Sequence, residues 1–208
     1  MNIKCMALGH IQTNCYIVTD EQSLNCAVID PGGESNTIMH YLELNKLKCT
    51  AIMLTHGHFD HTGAVEELKK QTGAAVYMHK LDVRRNLAEL GFRYNPPKGT
   101  QYYKEGDTVK VGALEFKVIE TPGHSEGGVC LICGDALFVG DTLFRDSCGR
   151  TDLPGCSAAA LMRSLKKLYD LPGDYDVYPG HMEQTTLERE RRFNYFMQSA
   201  ASGELPQM

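Results

Sequence analysis

The chain has 208 residues, with 21 basic against 26 acidic side chains and a formal charge of −5 at neutral pH. That balance offers no positive field for a phosphate backbone or an anionic lipid surface, so neither nucleic acid nor membrane is an expected partner. Hydrophobic residues at 42% and charged residues at 23% exclude a disordered chain and point to one folded domain over residues 1–208.

No apolar run reaches the roughly 18 to 20 residues that span a bilayer, and the first residues lack the apolar stretch of a secretion signal, which predicts a cytoplasmic protein. Its cysteines (Cys5, Cys15, Cys26, Cys49, Cys130, Cys133, Cys148 and Cys156) sit mostly inside apolar, strand-like runs, where a reduced thiol behaves as a small hydrophobe. Cys130 and Cys133 share one such run. Positions three apart on a strand face opposite ways, so they are not read as a redox or metal pair.

In chain order, short β-branched and apolar runs at 3–8, 15–19 and 25–29 predict an opening β-meander. Asp30-Pro31-Gly32-Gly33 stops the third strand, and Ser35 is placed to cap a helix over 36–47. Residues 51–54 read as a buried strand, 64–71 as a helix closed by Gly73, 74–78 as a strand, and 80–90 as a helix closed by Gly91. After a Pro/Gly-rich loop at 95–99, strands are predicted at 108–111, 114–120, 129–133 and 136–139. A helix at 158–169, a strand at 176–178 and a helix at 186–196 follow, giving two βα halves that pack as two face-to-face sheets with helices outside. The alternating charges Glu188-Arg189-Glu190-Arg191-Arg192 predict a solvated helix face.

The densest chemical feature is Thr55-His56-Gly57-His58-Phe59-Asp60-His61, directly after the buried strand at 51–54. Three imidazoles and a carboxylate on so short a loop are electrostatically awkward unless a cation collects them, which makes His56, His58, Asp60 and His61 candidate ligands. Alternate positions project differently, so all four cannot close on one ion. Further ligands from elsewhere, or two neighbouring metals, are expected. Thr121-Pro122-Gly123-His124-Ser125, Gly140-Asp141-Thr142 and Tyr178-Pro179-Gly180-His181 each end an apolar strand as the His cluster does. His10, His40 and His79 lack that placement and are read as surface or structural.

This ordered set, Thr-His-x-His-x-Asp-His, Pro-Gly-His-Ser, Gly-Asp-Thr-Leu-Phe and Tyr-Pro-Gly-His, resembles the metallo-β-lactamase superfamily over nearly the whole chain. It is most similar to the type II glyoxalase-like hydrolases in their short single-domain branch. The stretches Cys148-Gly149-Arg150-Thr151-Asp152-Leu153-Pro154-Gly155 and Thr185-Thr186-Leu187-Glu188-Arg189-Glu190-Arg191 are similar to that branch too. The resemblance implies an α+β fold, an αββα four-layer sandwich. It implies that His56, His58 and His124 hold one divalent metal, that Asp60, His61 and His181 hold another, and that Asp141 bridges both. Zinc ranks first as the metal, with iron or manganese compatible with the same nitrogen and oxygen donors.

Two cations roughly 3.5 to 4 Å apart share a water and lower its pKa from 15.7 towards about 7, so a hydroxide nucleophile exists at neutral pH. Attack on a small-molecule thioester or ester follows, with Asp60 and Asp141 as the catalytic carboxylates. A thiolate leaves without the general acid that an amide nitrogen requires. The C-terminal helical domain with which full-length type II glyoxalases bind glutathione has no counterpart, so Arg145 and Arg150 become the candidate substrate-binding residues. A second reading on the same fold is a persulfide dioxygenase with one iron held at His56, His124 and Asp141, a two-His, one-carboxylate set. A third is a non-catalytic metal-binding protein, which would need a ligand to be lost, and none is.

Overall fold

The structure is a computed structural model and describes residues 1–83 and 94–203. Two six-stranded sheets dominate it. The first contains β1 (Asn2–Leu8), β2 (Thr13–Thr19), β3 (Asn25–Ile29), β4 (Lys48–Met53), β5 (Ala75–His79) and β6 (Gln101–Tyr103), in that spatial order. The second contains β7 (Thr108–Val111), β8 (Leu114–Glu120), β9 (Val129–Cys133), β10 (Ala136–Gly140), β13 (Asp176–Pro179) and β14 (Thr185–Thr186), and runs β14-β13-β10-β9-β8-β7. The chain segment linking β10 to β13 includes a separate two-stranded hairpin of β11 (Leu143–Phe144) and β12 (Ser147–Cys148).

Alternation along the strands decides which side chain faces which layer. Tyr16, Val18, Ile29 and Met53 from the first sheet meet Phe116, Val118, Leu131 and Phe138 from the second, forming the core between the sheets. The opposite face of the first sheet packs on α1 (Ser35–Leu44) and α3 (Val65–Thr72) through Ile38, Leu42, Val65 and Leu68. The outer face of the second packs on α4 (Ala158–Tyr169), α5 (Leu187–Phe193) and α6 (Tyr195–Ser202). In α4, Leu161, Leu165 and Leu168 recur at helical spacing and are buried, each contributing roughly 2 kcal/mol of transfer free energy. The result is the expected αββα sandwich. Cys133 belongs to the inter-sheet core and Cys130 to the outer one, so the two thiols face opposite layers as their spacing requires.

Several boundaries differ from the sequence reading. Helix α1 begins at Ser35 after Glu34, whose φ of 52° is left-handed, so Ser35 is the first helical residue and not its cap. Lys80–Asp82 forms a single 3-10 turn, and the rest of the helix expected over 80–90 lies outside the described residues. The helix expected over 186–196 is two helices, because Asn194 turns extended and its side chain accepts from Met197 N to cap α6 (3.1 Å). Strands β6, β11, β12 and β14 and the short helix α2 (Phe59–Thr62) were not expected.

The topology gathers one set of strand ends. β8 and β10 are both antiparallel to β9 and so run the same way, β13 is parallel to β10, and β3 is parallel to β4. The segments following these strands carry His124, Asp141, His181, Asp30 and the His56–His61 cluster respectively. Among the described residues no helix is long and apolar enough to cross a membrane.

Candidate metal centre

Two donor groups form where the sheets' strand ends converge. His56, His58 and His124 bring one ring nitrogen each within 4.8 Å of one another; a carboxylate oxygen of Asp60 and one ring nitrogen each of His61 and His181 do so too, and a further set, Asp30, His56 and His61, shares a member with each. All seven residues singled out in the sequence meet here, because Asp141 stands between the groups. Its Oδ2 is 3.4 Å from His124 Nε2 and 3.6 Å from His181 Nε2, and its Oδ1 is 3.4 Å from His61 Nε2.

Hydrogen bonds fix which nitrogen each ring presents. His124 Nδ1–H donates to the Arg150 carbonyl (2.9 Å), which can only accept, so Nε2 keeps its lone pair towards the centre. There it stands 2.9 Å from His58 Nδ1. His61 Nδ1–H donates to Asp30 Oδ2 (3.0 Å). The Thr55 hydroxyl also donates to Asp30 Oδ2 (2.6 Å), so its oxygen accepts from His56 Nδ1–H (3.1 Å). This is the outer partner pattern that orients metal-ligating imidazoles.

Burial sets the charge states. It drives His56 well below the usual imidazole range and, with His124 and His61 adding repulsion, pushes His58 down to about 4, so both rings are neutral donors at pH 7. For His61 burial acts in the same downward direction, but the Asp141 and Asp30 carboxylates prevail and hold it well above. Burial would likewise raise Asp60 and Asp141, yet the surrounding imidazoles keep both ionised. His56 Nε2, His61 Nε2 and Asp141 Oδ1 are buried and make no hydrogen bond. Three orphaned polar atoms on three neighbouring residues fit a cation, since leaving such groups unsatisfied costs about 1–3 kcal/mol each. The mixed imidazole and carboxylate donors suit zinc, iron or manganese.

Backbone economy brings the ligands this close. Asn14 N donates to Gly180 O (2.7 Å), its amide donates to Pro179 O and Met182 O (3.0 Å each), and Tyr16 OH donates to Pro179 O (2.6 Å), which fixes the His181 loop on β2. A Cβ on Gly180 would sit 2.3 Å from Asp141 Oδ1, so only glycine lets this loop pass the centre.

Two buried aspartates are supports that the motif reading passed over. Asp30, read as a strand stop, also accepts from Thr55 N (2.7 Å). Asp82 accepts from Gly57 N (2.8 Å), Ser125 Oγ (2.9 Å) and Gly127 N (2.7 Å), tying the His56–His58 loop to the His124 loop. A strand-end Asp before Pro-Gly-Gly was a signal for the first; nothing in sequence marked the second.

The centre opens into a cleft of about 460 Å³ walled by Ile11, Phe59, Phe144, Leu153 and Met182, with Arg150 at its edge. Arg150 holds Asp152 with two bonds of 2.7 Å. Arg145 is turned to the Glu183 carboxylate and does not line the cleft. Among the described residues, His10, His40 and His79 join no metal-capable group, and His79 bonds Glu120 (3.2 Å).

The family model of the metallo-beta-lactamase superfamily matches residues 8–181. The chain is 32% identical to hydroxyacylglutathione hydrolase GloC of Haemophilus influenzae, over 96% of this chain and 99% of that one. Among solved structures it is similar to the BLEG-1 B3 metallo-beta-lactamase (TM-score 0.86, 33% identity, 94% of this chain and 99% of that one). It is similar also to TTHA1623, described in a di-iron-bound form (TM-score 0.82, 39% identity, 93% of this chain and 99% of that one). Strand-end donors, sandwich and matched sequence agree: the chain belongs to the metallo-β-lactamase superfamily.

Proposed function

We propose that this chain is a binuclear metallohydrolase that cleaves small thioesters, of the type II glyoxalase-like kind. The observation that carries this reading is the pair of complete donor groups with Asp141 in reach of both. A persulfide dioxygenase centre of His56, His124 and Asp141 would leave Asp60, His61 and His181, gathered within 4.8 Å of one another, without a purpose.

When bound, divalent ions supply an activated water and a Lewis acid for the carbonyl oxygen. The chain's own residues supply the rest. His56 and His58 present neutral nitrogens and His124 its Nε2; Asp60 and Asp141 present ionised oxygens; the apolar walls at Phe59, Phe144 and Leu153 strip water from an acyl group. Burial pushes the Cys148 thiol up to about 11, so it is protonated at neutral pH and is not the nucleophile. Every titratable imidazole or carboxylate lining the cleft belongs to a donor group or, as Asp141, stands between the two. A leaving group that departs as a thiolate, needing no proton, therefore suits this cleft better than an amide nitrogen. The likeness to a named hydroxyacylglutathione hydrolase supports the same substrate class, while the likeness to a named β-lactamase makes a β-lactam the necessary competitor.

The test is metal analysis of the purified protein together with turnover of thioester, lactone, β-lactam and persulfide panels. Two ions per chain and preferential thioester hydrolysis are expected. One ion per chain with oxygen-dependent persulfide oxidation, or preferential β-lactam hydrolysis, overturns the reading.

A further inference from the structure

Glu190 departs from the solvated face that its charge-alternating helix predicts, since it is 0% exposed. All four of its partners are donors. Oε1 accepts from Thr185 Oγ1 and Arg189 Nη1 (2.6 Å each), and Oε2 accepts from Asp146 N (2.8 Å) and Asn194 Nδ2 (3.0 Å). Asn194, also fully buried, donates onward to the carbonyls of Phe144 (3.1 Å) and Ser147 (2.9 Å). Arg189 closes the arrangement with a two-point bond to Asp146 (2.8 and 2.9 Å).

Apart from Thr185 on β14, which anchors Oε1, every group grasped from outside α5 belongs to the turn of one hairpin, β11–β12. Two residues per strand cannot hold themselves in register, and Asp146 at the turn has a left-handed φ of 59° that favours glycine. The hairpin therefore takes its position from α5. Its location makes that position matter. It starts two residues after Asp141 and ends two residues before Arg150, whose carbonyl orients His124, and it contributes Phe144, Ser147 and Cys148 to the cleft.

We propose that Glu190 and Asn194 are positioning residues that set the cleft wall formed by residues 143–148, and so determine how the substrate's acyl and thiol parts are held. The kinetic side of this inference rests on the thioester reading above; the structural side does not. The side chains touch no donor of the metal centre, so loosening the wall weakens substrate binding and leaves metal loading intact.

The experiment compares Glu190→Gln and Asn194→Ala with Glu188→Gln, a neighbour on the same helix whose carboxylate, among the described residues, bonds Arg191 and Arg192. Glutamine at 190 turns an amide group towards donors and loses one acceptor oxygen with the two bonds it accepts. We expect KM for a short-chain thioester to rise about 10-fold in Glu190→Gln and Asn194→Ala, with kcat within about 2-fold and metal content unchanged. Independently of turnover, iodoacetamide alkylation of Cys148, followed by peptide mass spectrometry, is expected to speed up severalfold in both, and neither readout to move in Glu188→Gln. If Glu190→Gln fails to fold, Asn194→Ala, which removes the donors to the hairpin carbonyls together with the bond to Glu190 and the cap of α6 but leaves the Glu190 carboxylate in place, carries both readouts. Unchanged KM and unchanged Cys148 alkylation overturn the proposal, as does a fall in kcat in step with metal loss at constant KM. If the wild type hydrolyses no thioester, the proposed function fails, and the alkylation rates alone decide this inference.

Discussion

Asp141 Oδ1 and His61 Nε2 face each other at 3.4 Å, both buried and neither in a hydrogen bond. A cation placed between two such atoms would satisfy both. Because the other oxygen of Asp141 is 3.4 Å from His124, removing this one carboxylate disturbs both donor groups. Asp141→Ala is expected to abolish turnover and to lower metal content at both positions. His181→Ala, which touches one group, is expected to keep about one ion per chain and measurable residual activity. Elemental analysis beside steady-state turnover checks this, and equal residual rates in metal-saturated variants would contradict it.

Asp30 acts through His61 and Thr55, and its carboxylate also lies within 4.8 Å of a ring nitrogen of His56 and of His61. Asp30→Asn keeps the size and loses the charge that holds the His61 tautomer, so metal affinity is expected to drop about 10- to 100-fold with the fold retained. Competition with a chelator of known affinity measures it.

Acid should weaken the metal-free fold through the imidazoles. His58 titrates near 4 when folded against about 6.5 when unfolded, and His56 is displaced in the same direction. Between these values the unfolded chain binds more protons, so stability is present above pH 6.5 and lost as pH falls towards 4, by on the order of 3 kcal/mol for His58. His61 is raised instead and is charged in both states below 6.5, so it adds nothing within this window. Thermal unfolding of chelator-treated protein is expected to show Tm falling across this range, with a shallower fall in His58→Asn.

The two arginines should separate. Arg150 borders the cleft and Arg145 is turned away to Glu183, so Arg150→Ala is expected to raise KM for an acidic thioester severalfold while Arg145→Ala leaves it unchanged. Matched neutral and acidic acyl thioesters provide the comparison, with both effects read as KM at saturating metal.

What sequence could reveal here follows from how distinctive a residue looks before it is folded. The His56–His61 cluster and the strand-end His124, Asp141 and His181 were legible because their residue types crowd at positions where α/β proteins build sites. The sandwich was legible because unbroken apolar runs such as β9 mark strands covered on both faces. Asp82 and Glu190 were not, since a single acidic residue among other charges reads the same whether solvated or enclosed by donors. Only the folded chain brings Gly57, Ser125 and Gly127 to Asp82, or Asp146 and Asn194 to Glu190. The two-residue strands β11, β12 and β14 carry too few residues for a period to register, and the break at Asn194 is hidden by helix-compatible neighbours on both sides.

His56, His58, Asp60 and His61 come from the first sheet, whereas His124, Asp141 and His181 come from the second. Each of the two donor groups draws from both sheets. An ion held by either group therefore behaves as a removable cross-link between the halves of the sandwich, stabilising their docked state in proportion to the logarithm of its free concentration.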